Sequence, residues 1–338
     1  MIVRRNYPPA MARFLLRDYA FPDEVERVAT QAEEDGWDGL MFQDSQNLTP
    51  DITVAMTLAA RVTERLLVGT AVTNLVTRNP AVVASAFATI QHLSGGRALL
   101  GVARGDTALH LVGETAPTVD EFVTLLSRLR GYLAGEDVQV GTEGSRLQWL
   151  PDASAPRVPV NVFGSGPRNL QAAAAHGDLV TMTVGAEPDQ VRWGIDQVRA
   201  VSPDVPIGAL VVAATGTNLP ALREIVRANA SISAHFRRDT MTALDPSDAA
   251  VVAEVTRDYD DATHATASAT QARDLPDAFL DRFCVIGPPD HCVERLRELV
   301  ALGLDHVIVV GAGRDTDPAV REASERLFAR EVLPAVRG

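Results

Sequence analysis

The sequence alternates between short apolar runs and longer stretches with helical spacing, and this alternation restricts the chain to a small set of folds. Eight such pairs follow one another, which is typical of βαβ units that build a parallel sheet. Most of the runs are apolar at nearly every position, as expected for strands covered on both faces. The predicted strands are Ala12–Arg17, Asp38–Gln43, Leu66–Val72, Ala98–Ala103, Val158–Phe163, Leu179–Val184, Ile207–Ala213 and His306–Val310. Eight units of this kind predict a (β/α)8 TIM barrel.

Two segments exceed a minimal barrel. Residues 138–150 predict a small hairpin with a GTEGS turn, inserted after the fourth helix. Residues 218–281 are acidic, Ala-rich and mostly helical in pattern, and we expect them to be too polar for a second core and to lie near the barrel mouth. Since no Pro/Gly linker separates two apolar sets, the 338 residues predict a single domain.

Local signals fix the start of two helices. Asn79 and Pro80 suit the N-cap and the first position of a helix. Thr118 and Glu121 form a capping box ahead of the next one.

Charge and composition exclude several functions. The net charge is −13, so we expect no nucleic-acid partner and no binding to anionic membranes. All 31 basic residues are Arg, which excludes a Schiff-base lysine and a P-loop lysine. A bound phosphate must therefore be held by backbone amides, hydroxyls or Arg.

The cysteines and histidines predict no metal site. Cys284 and Cys292 fit neither a disulfide framework nor a zinc pair, and we interpret them as buried thiols. None of the seven histidines follows a metal-binding pattern, so each is expected to be a surface group, with His110 alone near a strand end.

The chain carries no targeting or membrane signal. The N-terminal segment MIVRRNYPPAM lacks the apolar region of a signal peptide, and no run approaches the roughly 18 apolar residues of a membrane span. The sequence therefore predicts a cytoplasmic protein.

The residues that follow each predicted strand are the candidates for a functional site, because barrel enzymes place their chemistry at the carboxyl ends of the strands. They are Asp44, Ser45, Gln46 and Asn47 after the second strand, Thr73 and Asn74 after the third, Arg104, Gly105, Asp106 and Thr107 after the fourth, Gly164, Ser165, Gly166 and Pro167 after the fifth, and Gly185 after the sixth.

The stretch NVFGSGPRNL predicts a phosphate site. Its glycines allow close backbone approach, and Pro167 starts a helix whose N-terminus would present the amides of Ser165 and Gly166 to an anion. A plain tight turn is the alternative. The stretch is not a dinucleotide fingerprint, because Asn169 stands at the position of the third glycine.

Two strand-end carboxylates are candidates for acid–base chemistry. Asp44 and Asp106 would face one mouth, where burial and mutual repulsion could raise a pKa. The alternative is that each caps the helix that follows.

Several stretches together resemble a known family. FQDSQN, LLVGTAVTN and LSGGRALLGVARGDTALH, followed by FGSGPRNL, HGDLVTMTVGA and IGPPDHCVERLRELVALGLDHVIV, resemble the luciferase-like class of barrel oxidoreductases. Within that class they are most similar to F420-dependent proteins of the methylenetetrahydromethanopterin reductase type. The resemblance covers nearly the whole chain, and the order and spacing are more specific than any single stretch.

The resemblance implies a bound cofactor, coenzyme F420 or alternatively FMN, a small-molecule substrate and a homodimer. It also implies a bulge with a non-prolyl cis peptide near Thr70, Ala71 and Val72, behind the cofactor ring. With the strand-end residues, the candidate cofactor set is Asp44, Ser45, Thr70, Ala71, Val72, Asn74, Arg104, Gly105, Gly164, Ser165, Gly166 and Gly185. The candidate catalytic residues are Asp106, Asp44 and His110.

One residue departs from the family pattern. Several F420-dependent relatives have a His directly after the acid of the second strand, where this chain has Ser45. Proton transfer is therefore expected from Asp106, His110 or the substrate itself.

Four functions are compatible with these observations. Reduced F420 could deliver hydride to a C=N, C=C or carbonyl carbon, or reduced FMN could react with oxygen in a monooxygenase. The Arg-only, Ala-rich composition, typical of a GC-rich actinobacterial genome, favours F420. The chain could also bind flavin without turnover, or use Asp44 and Asp106 as the carboxylate pair of a hydrolase.

Overall fold

The computed structural model describes residues 12–150 and 155–338. The N-terminal segment MIVRRNYPPAM, in which the sequence predicts no signal peptide, lies outside the described residues. Among the described helices, none is both long and apolar enough to cross a bilayer.

Eight parallel strands close into a barrel, with helices around it. The strands are β1 (Arg13–Asp18), β2 (Gly39–Phe42), β3 (Leu67–Thr70), β4 (Thr73–Asn74), β5 (Ala98–Ala103), β6 (Val138–Val140), β7 (Glu143–Ser145), β8 (Val160–Gly164), β9 (Leu179–Met182), β10 (Ile207–Thr215), β11 (Val285–Gly287) and β12 (His306–Val310). Around the barrel the order is β1, β2, β3, β5, β8, β9, β10 and β12, and β12 pairs with β1 to close the ring. The predicted (β/α)8 TIM barrel is confirmed.

The helices follow the strands as the pattern predicts. They are α1 (Pro22–Glu34), α2 (Ile52–Val62), α3 (Pro80–Leu93), α4 (Thr107–His110), α5 (Val119–Leu133), α6 (Pro167–His176), α7 (Pro188–Arg199), α8 (Leu219–His235), α9 (Pro246–Arg257), α10 (Thr270–Arg273), α11 (Asp277–Phe283), α12 (Pro289–Ala301), α13 (Pro318–Leu327) and α14 (Leu333–Arg337). Both predicted helix starts are confirmed, since Asn79 accepts from the amide of Ala81 and Thr118 and Glu121 form the capping box.

All eight predicted strands match barrel strands, with ends that differ by a few residues. The pattern missed β11, which pairs with β10 on the outside of the closed ring. The predicted third strand is also interrupted, because β3 ends at Thr70 and β4 covers only Thr73–Asn74.

The barrel interior is apolar in the middle and polar at its floor. One cluster contains Leu15, Met41, Leu99, Phe163, Leu179 and Ile308, which come from six different barrel strands. Below it, the hydroxyl of Thr181 lies 2.7 Å from Nε2 of His306 and donates to Oδ1 of Asn161 at 3.0 Å. Burial lowers the pKa of His306 to about 3, so its imidazole is neutral. The prediction that every histidine is a surface group is therefore wrong for His306.

The two insertions differ from each other in how well they were predicted. The first forms the expected hairpin, although its turn is shorter than GTEGS, because Val140 already pairs with Glu143. The second is helical, as predicted, but it is not too polar to build a core. Leu222 and Val226 of α8, Val252 of α9 and Leu280 of α11 pack together with side chains from β10. Charged and apolar residues alternate along these helices, so the sequence pattern did not predict this second apolar cluster.

Both cysteines are buried thiols, as predicted. Cys284 and Cys292 are free, and burial raises the pKa of Cys284 to about 12 and that of Cys292 to about 11.

The polar floor depends on a glycine. A Cβ at Gly208 would lie 2.2 Å from Cδ2 of His306 and 2.4 Å from its carbonyl oxygen. We expect Gly208→Ala to lower the free energy of unfolding by about 1–3 kcal/mol through overpacking. The measurement is denaturant unfolding. Gly144→Ala is the control, because a Cβ there meets nothing within 4 Å, and equal stability of the two variants would contradict the prediction.

Candidate active site

A two-lobed cavity lies at the carboxyl ends of the barrel strands. We call the lobes after a residue found in only one of them. The Arg17 lobe has a volume of about 710 Å³, the Ser165 lobe about 810 Å³, and both open to solvent. They share the residues Ala71, Val72, Gly105, Asp106, Thr183, Leu210 and Phe236.

Most of the candidate residues from the sequence line this cavity. The Arg17 lobe contains Asp44, Ser45 and Asn74, the Ser165 lobe contains Arg104, Gly164 and Ser165, and Ala71, Val72, Gly105 and Asp106 belong to both. Thr73 and Thr107 also line the Arg17 lobe, whereas the remaining candidates line neither lobe, namely Gln46, Asn47, Thr70, His110, Gly166, Pro167 and Gly185. Gly185 lies instead beside a small separate cavity next to Phe283.

The back wall of the cavity is the interruption of the third strand. Gly69 of β3 pairs with Leu99 of β5, and Thr73 of β4 pairs with Val102. Four residue steps on one strand thus match three on the other, which is a bulge of one residue. The peptide bond between Ala71 and Val72 is cis. The bulge and the cis bond implied by the family resemblance are confirmed at these positions.

Asp44 is held in a buried ion pair. Its carboxylate accepts from the hydroxyl of Thr73 at 2.6 Å and from Nε of Arg78 at 2.8 Å. Arg78 also reaches Asp51, the N-cap of α2, at 2.8 Å. Asp44 therefore caps no helix, and its charge is balanced by an arginine that lies outside the cavity lining.

The environment of Asp106 differs from the sequence-based expectation in both its helix capping and its pKa. It stands at the N-cap position of α4 but makes no capping hydrogen bond. Its carboxylate lies 2.6 Å from Arg238 and 3.4 Å from Nε2 of His235. Burial works to raise the pKa of Asp106, but the contacts with His235 and Arg238 outweigh it and lower the pKa to about 2. Asp106 is thus ionised at neutral pH, and the expected raised pKa is contradicted.

The Ser165 lobe ends at the start of a helix. Gly166 is the N-cap residue of α6, and Pro167 takes the first helical position as predicted. The hydroxyl of Ser165 donates to the carbonyl of Phe236 at 2.6 Å. Arg104 and Arg238 line the same lobe. Ser165, next to the helix start, and two guanidinium groups therefore line the same lobe, where an anionic group could bind.

A hydrogen-bonded chain connects the Arg17 lobe to the surface. His264 lines the lobe, and its Nδ1 lies 3.0 Å from the hydroxyl of Thr107. That hydroxyl donates to Asp261 at 2.5 Å, and the other oxygen of Asp261 lies 3.0 Å from Nδ1 of His110. The side chain of His110 is 45% exposed, whereas His264 is buried. His110 is thus the outer end of a path whose inner end reaches the cavity.

Three groups of this region could together bind a metal ion. The ligand atoms of Asp106, His110 and Asp261 lie within 4.8 Å of one another. However, Arg238 already neutralises Asp106, and His110 and Asp261 contact each other directly. The cluster is better described as part of the hydrogen-bonded chain.

Sequence reasoning missed the residues that the second insertion contributes to the cavity. Asn229 and Phe236 come from α8 and the residue after it, and Arg238 and His264 come from later in the insertion. His235 and His264 are buried, so the expectation of surface histidines is wrong for them as well. Asn and His inside an apolar helical segment are the signal that could have found Asn229 and His235. Nothing in the local sequence marks His264, which only tertiary packing brings to the cavity.

The sequence pattern that defines the family of luciferase-like monooxygenases matches residues 12–306. The chain is 24% identical to 5,10-methylenetetrahydromethanopterin reductase from Methanolobus tindarius, over 92% of this chain and 95% of that protein. Its fold is similar to that of the coenzyme F420-dependent tetrahydromethanopterin reductase from Methanopyrus kandleri, with a TM-score of 0.74, 20% identity and coverage of 96% and 99%. It is also similar to the FMN complex of the oxygenating constituent of 3,6-diketocamphane monooxygenase from Pseudomonas putida, with a TM-score of 0.68, 17% identity and coverage of 97% and 99%.

The protonation state of His264 is directly measurable. Burial and the nearby charge of Arg17 lower its pKa to about 3, so we expect a neutral imidazole at pH 5, where free histidine, with a pKa of about 6.5, is mostly protonated. The measurement is ¹⁵N NMR of histidine-labelled protein, with His264→Asn to assign the signals. Titration of His264 above pH 5 would contradict the prediction.

The same shift predicts a pH dependence of stability. The unfolded chain takes up this proton near pH ~6.5 and the folded chain only near pH 3, so acidification through that window lowers the free energy of unfolding. Denaturant unfolding between pH 7 and pH 4 should show a smaller decrease for His264→Asn than for the wild type. Equal decreases for the two proteins would count against the neutral state of His264.

Proposed function

The chain belongs to the luciferase-like monooxygenase family, and on that premise we propose that it is an F420-dependent oxidoreductase. It transfers hydride between bound F420 and a C=N, C=C or carbonyl carbon of a small organic substrate. The observation that carries the proposal is the two-lobed cavity, in which apolar residues line both lobes and two arginines line one of them. The similarity to reductases that act with tetrahydromethanopterin and F420 supports this choice.

The cavity fits a cofactor with a ring and a phosphate. Ala71, Val72 and Leu210 are common to both lobes and offer apolar contact to the ring. The start of α6 with Ser165 and Gly166, and the guanidinium groups of Arg104 and Arg238, would hold the phosphate and the acidic tail.

Buried polar atoms without a partner point to the same occupant. The hydroxyl oxygen of Ser45 lacks a hydrogen bond in the Arg17 lobe, and Oδ1 of Asn169 lacks one in the Ser165 lobe. Because unpaired buried polar groups are costly, they indicate a polar ligand that completes them.

The residues around the cavity have different roles in the proposed reaction. The deazaflavin supplies hydride exchange at its C5 when it is bound. Asp44 is held beside the bulge by its contacts with Thr73 and Arg78. Ionised Asp106 orients Arg238 and His235 and is unsuited to donate a proton at neutral pH. Neutral His264 takes the role of proton acceptor when the substrate is oxidised, and Thr107, Asp261 and His110 connect it to solvent.

An FMN-dependent monooxygenase is the second candidate. The similarity to an FMN-binding monooxygenase of the same fold favours it. The two candidates bind different cofactors, so a comparison of cofactor affinities distinguishes them.

Cofactor titration is the decisive test. We expect the cofactor-free protein to bind F420 at least tenfold more tightly than FMN or FAD. The measurement is a titration in which the fluorescence of each ligand reports its binding. Tight binding of FMN without binding of F420 would reverse the assignment in favour of the monooxygenase. Failure to bind any of the three would remove both candidates.

The phosphate site can be tested with a pair of variants at the helix start. Gly166→Glu places a negative charge at the N-terminus of α6, whereas Gly166→Gln has the same size without the charge. We expect the Glu variant to lose about tenfold or more in F420 affinity relative to the Gln variant through loss of a charge-assisted contact. The affinity for the phosphate-free chromophore of F420 should be equal in both. A similar loss for that chromophore would show that the phosphate is bound elsewhere.

The proton path predicts a hierarchy of effects on turnover. We expect His264→Asn to lower kcat for substrate oxidation by about 10²–10⁴-fold, the usual contribution of a general base, with F420 affinity nearly unchanged. His110→Asn should have a smaller effect and alter the solvent isotope effect, since it interrupts only the outer end. His92→Asn, at an exposed position of α3, is the control. Full activity of His264→Asn would eliminate it as the proton acceptor.

A further inference from the structure

Arg17 is a buried cation that faces the substrate side of the cavity. It follows Leu15 on the inward face of β1, at the last position that pairs with β12. It is 8% exposed and lines the Arg17 lobe but not the Ser165 lobe. It therefore lies away from the helix start that would hold a phosphate.

The partners of Arg17 are neutral. Its two terminal nitrogens donate to the side-chain oxygens of Gln43 and Asn229, the latter at 2.6 Å, and its guanidinium lies 5.2 Å from the ring centre of Tyr19. Its Nε has no hydrogen-bond partner. Among the residues that the structure describes, no carboxylate forms an ion pair with Arg17.

The carboxylates near Arg17 already form ion pairs with other arginines. Asp44 pairs with Arg78 and Asp106 with Arg238. Asp18, the next residue along β1, points to the other face of the strand, where Arg321 lies 3.7 Å away. The positive charge of Arg17 is thus left without a balancing group inside the cavity. An unpaired buried charge is costly, and a ligand that balances it gains affinity.

We propose that Arg17 is the binding residue for a carboxylate of the substrate, so that the substrate class is a small organic acid. A guanidinium has five N–H donors, and Gln43 and Asn229 take one each. Three N–H groups remain, and two of them, the Nε–H and the second N–H of one terminal nitrogen, form a fork that binds a carboxylate through two hydrogen bonds. This inference rests on the proposed function, since it takes the Arg17 lobe as the substrate side.

The test compares a carboxylate with its neutral counterpart on the cofactor-free protein. Benzoate and benzamide have the same ring and differ in charge. We expect the wild type to bind benzoate more tightly than benzamide in calorimetric titration. Arg17→Gln should lose about tenfold or more in benzoate affinity, the size expected for a hydrogen bond to a charged group, while benzamide affinity changes little.

A second variant leaves Arg17 in place. Gln43→Glu puts a carboxylate at the position that already accepts from the guanidinium. We expect it to raise the melting temperature and to abolish the preference for benzoate, because the cation is then balanced internally. Gln139→Glu in the exposed hairpin adds the same charge far away and should change neither quantity. If Arg17 had a purely structural role, Gln43→Glu would not be expected to raise the melting temperature and abolish the benzoate preference at the same time.

These experiments distinguish a failure of the carboxylate site from a failure of the cofactor proposal. Equal binding of benzoate and benzamide by the wild type, or unchanged benzoate affinity in Gln43→Glu, overturns the proposal. Loss of benzoate binding once the cofactor is bound also overturns it, because Arg17 would then serve an anionic edge of the cofactor. If F420 does not bind but the benzoate preference follows Arg17 and Gln43, the carboxylate site stands and only the cofactor proposal fails.

Discussion

Closure of the barrel through β12 is the constraint on which the site depends. Five residues of β12 pair with β1 on one side, and the same five pair with β10 on the other. The ring of backbone hydrogen bonds brings the carboxyl ends of all eight barrel strands to one rim. Residues that are far apart in sequence, such as Arg17 and Asn229, become direct neighbours because of it.

Around that rim, electrostatic balance is local and depends on arginine. Each cavity carboxylate has its own guanidinium partner, Arg78 for Asp44 and Arg238 for Asp106. The contacts of Asp106 with Arg238 and His235 keep it ionised, so it does not have the environment of a proton donor, and Asp44 is bound to Arg78 and Thr73. The neutral imidazole of His264 and the unbalanced cation of Arg17 are the groups left to interact with a ligand.

Much of the barrel was predictable because its signal is local. Apolar runs, caps and strand ends gave the eight strands, the helix starts and most of the cavity lining. The protonation state of Asp106 was not predictable, because it depends on His235 and Arg238, which lie more than a hundred residues further along the chain. Arg17 was within reach of sequence reasoning, since an arginine on the inward face of an apolar strand has no structural reason to be there. The cis bond was expected from the family resemblance and not from any physical pattern in the residues.

The second insertion has a consequence for how this protein could diversify. The barrel strands supply the wall, the bulge and the helix start, whereas one continuous segment supplies Asn229, Phe236, Arg238 and His264. That segment rests on an apolar cluster that it forms together with side chains of β10 and β11. The part of the cavity lining that this segment contributes and the part that the barrel strands contribute are thus encoded in separate stretches of the gene. Changes confined to the segment could therefore alter the cavity lining while the closed ring of strands is kept.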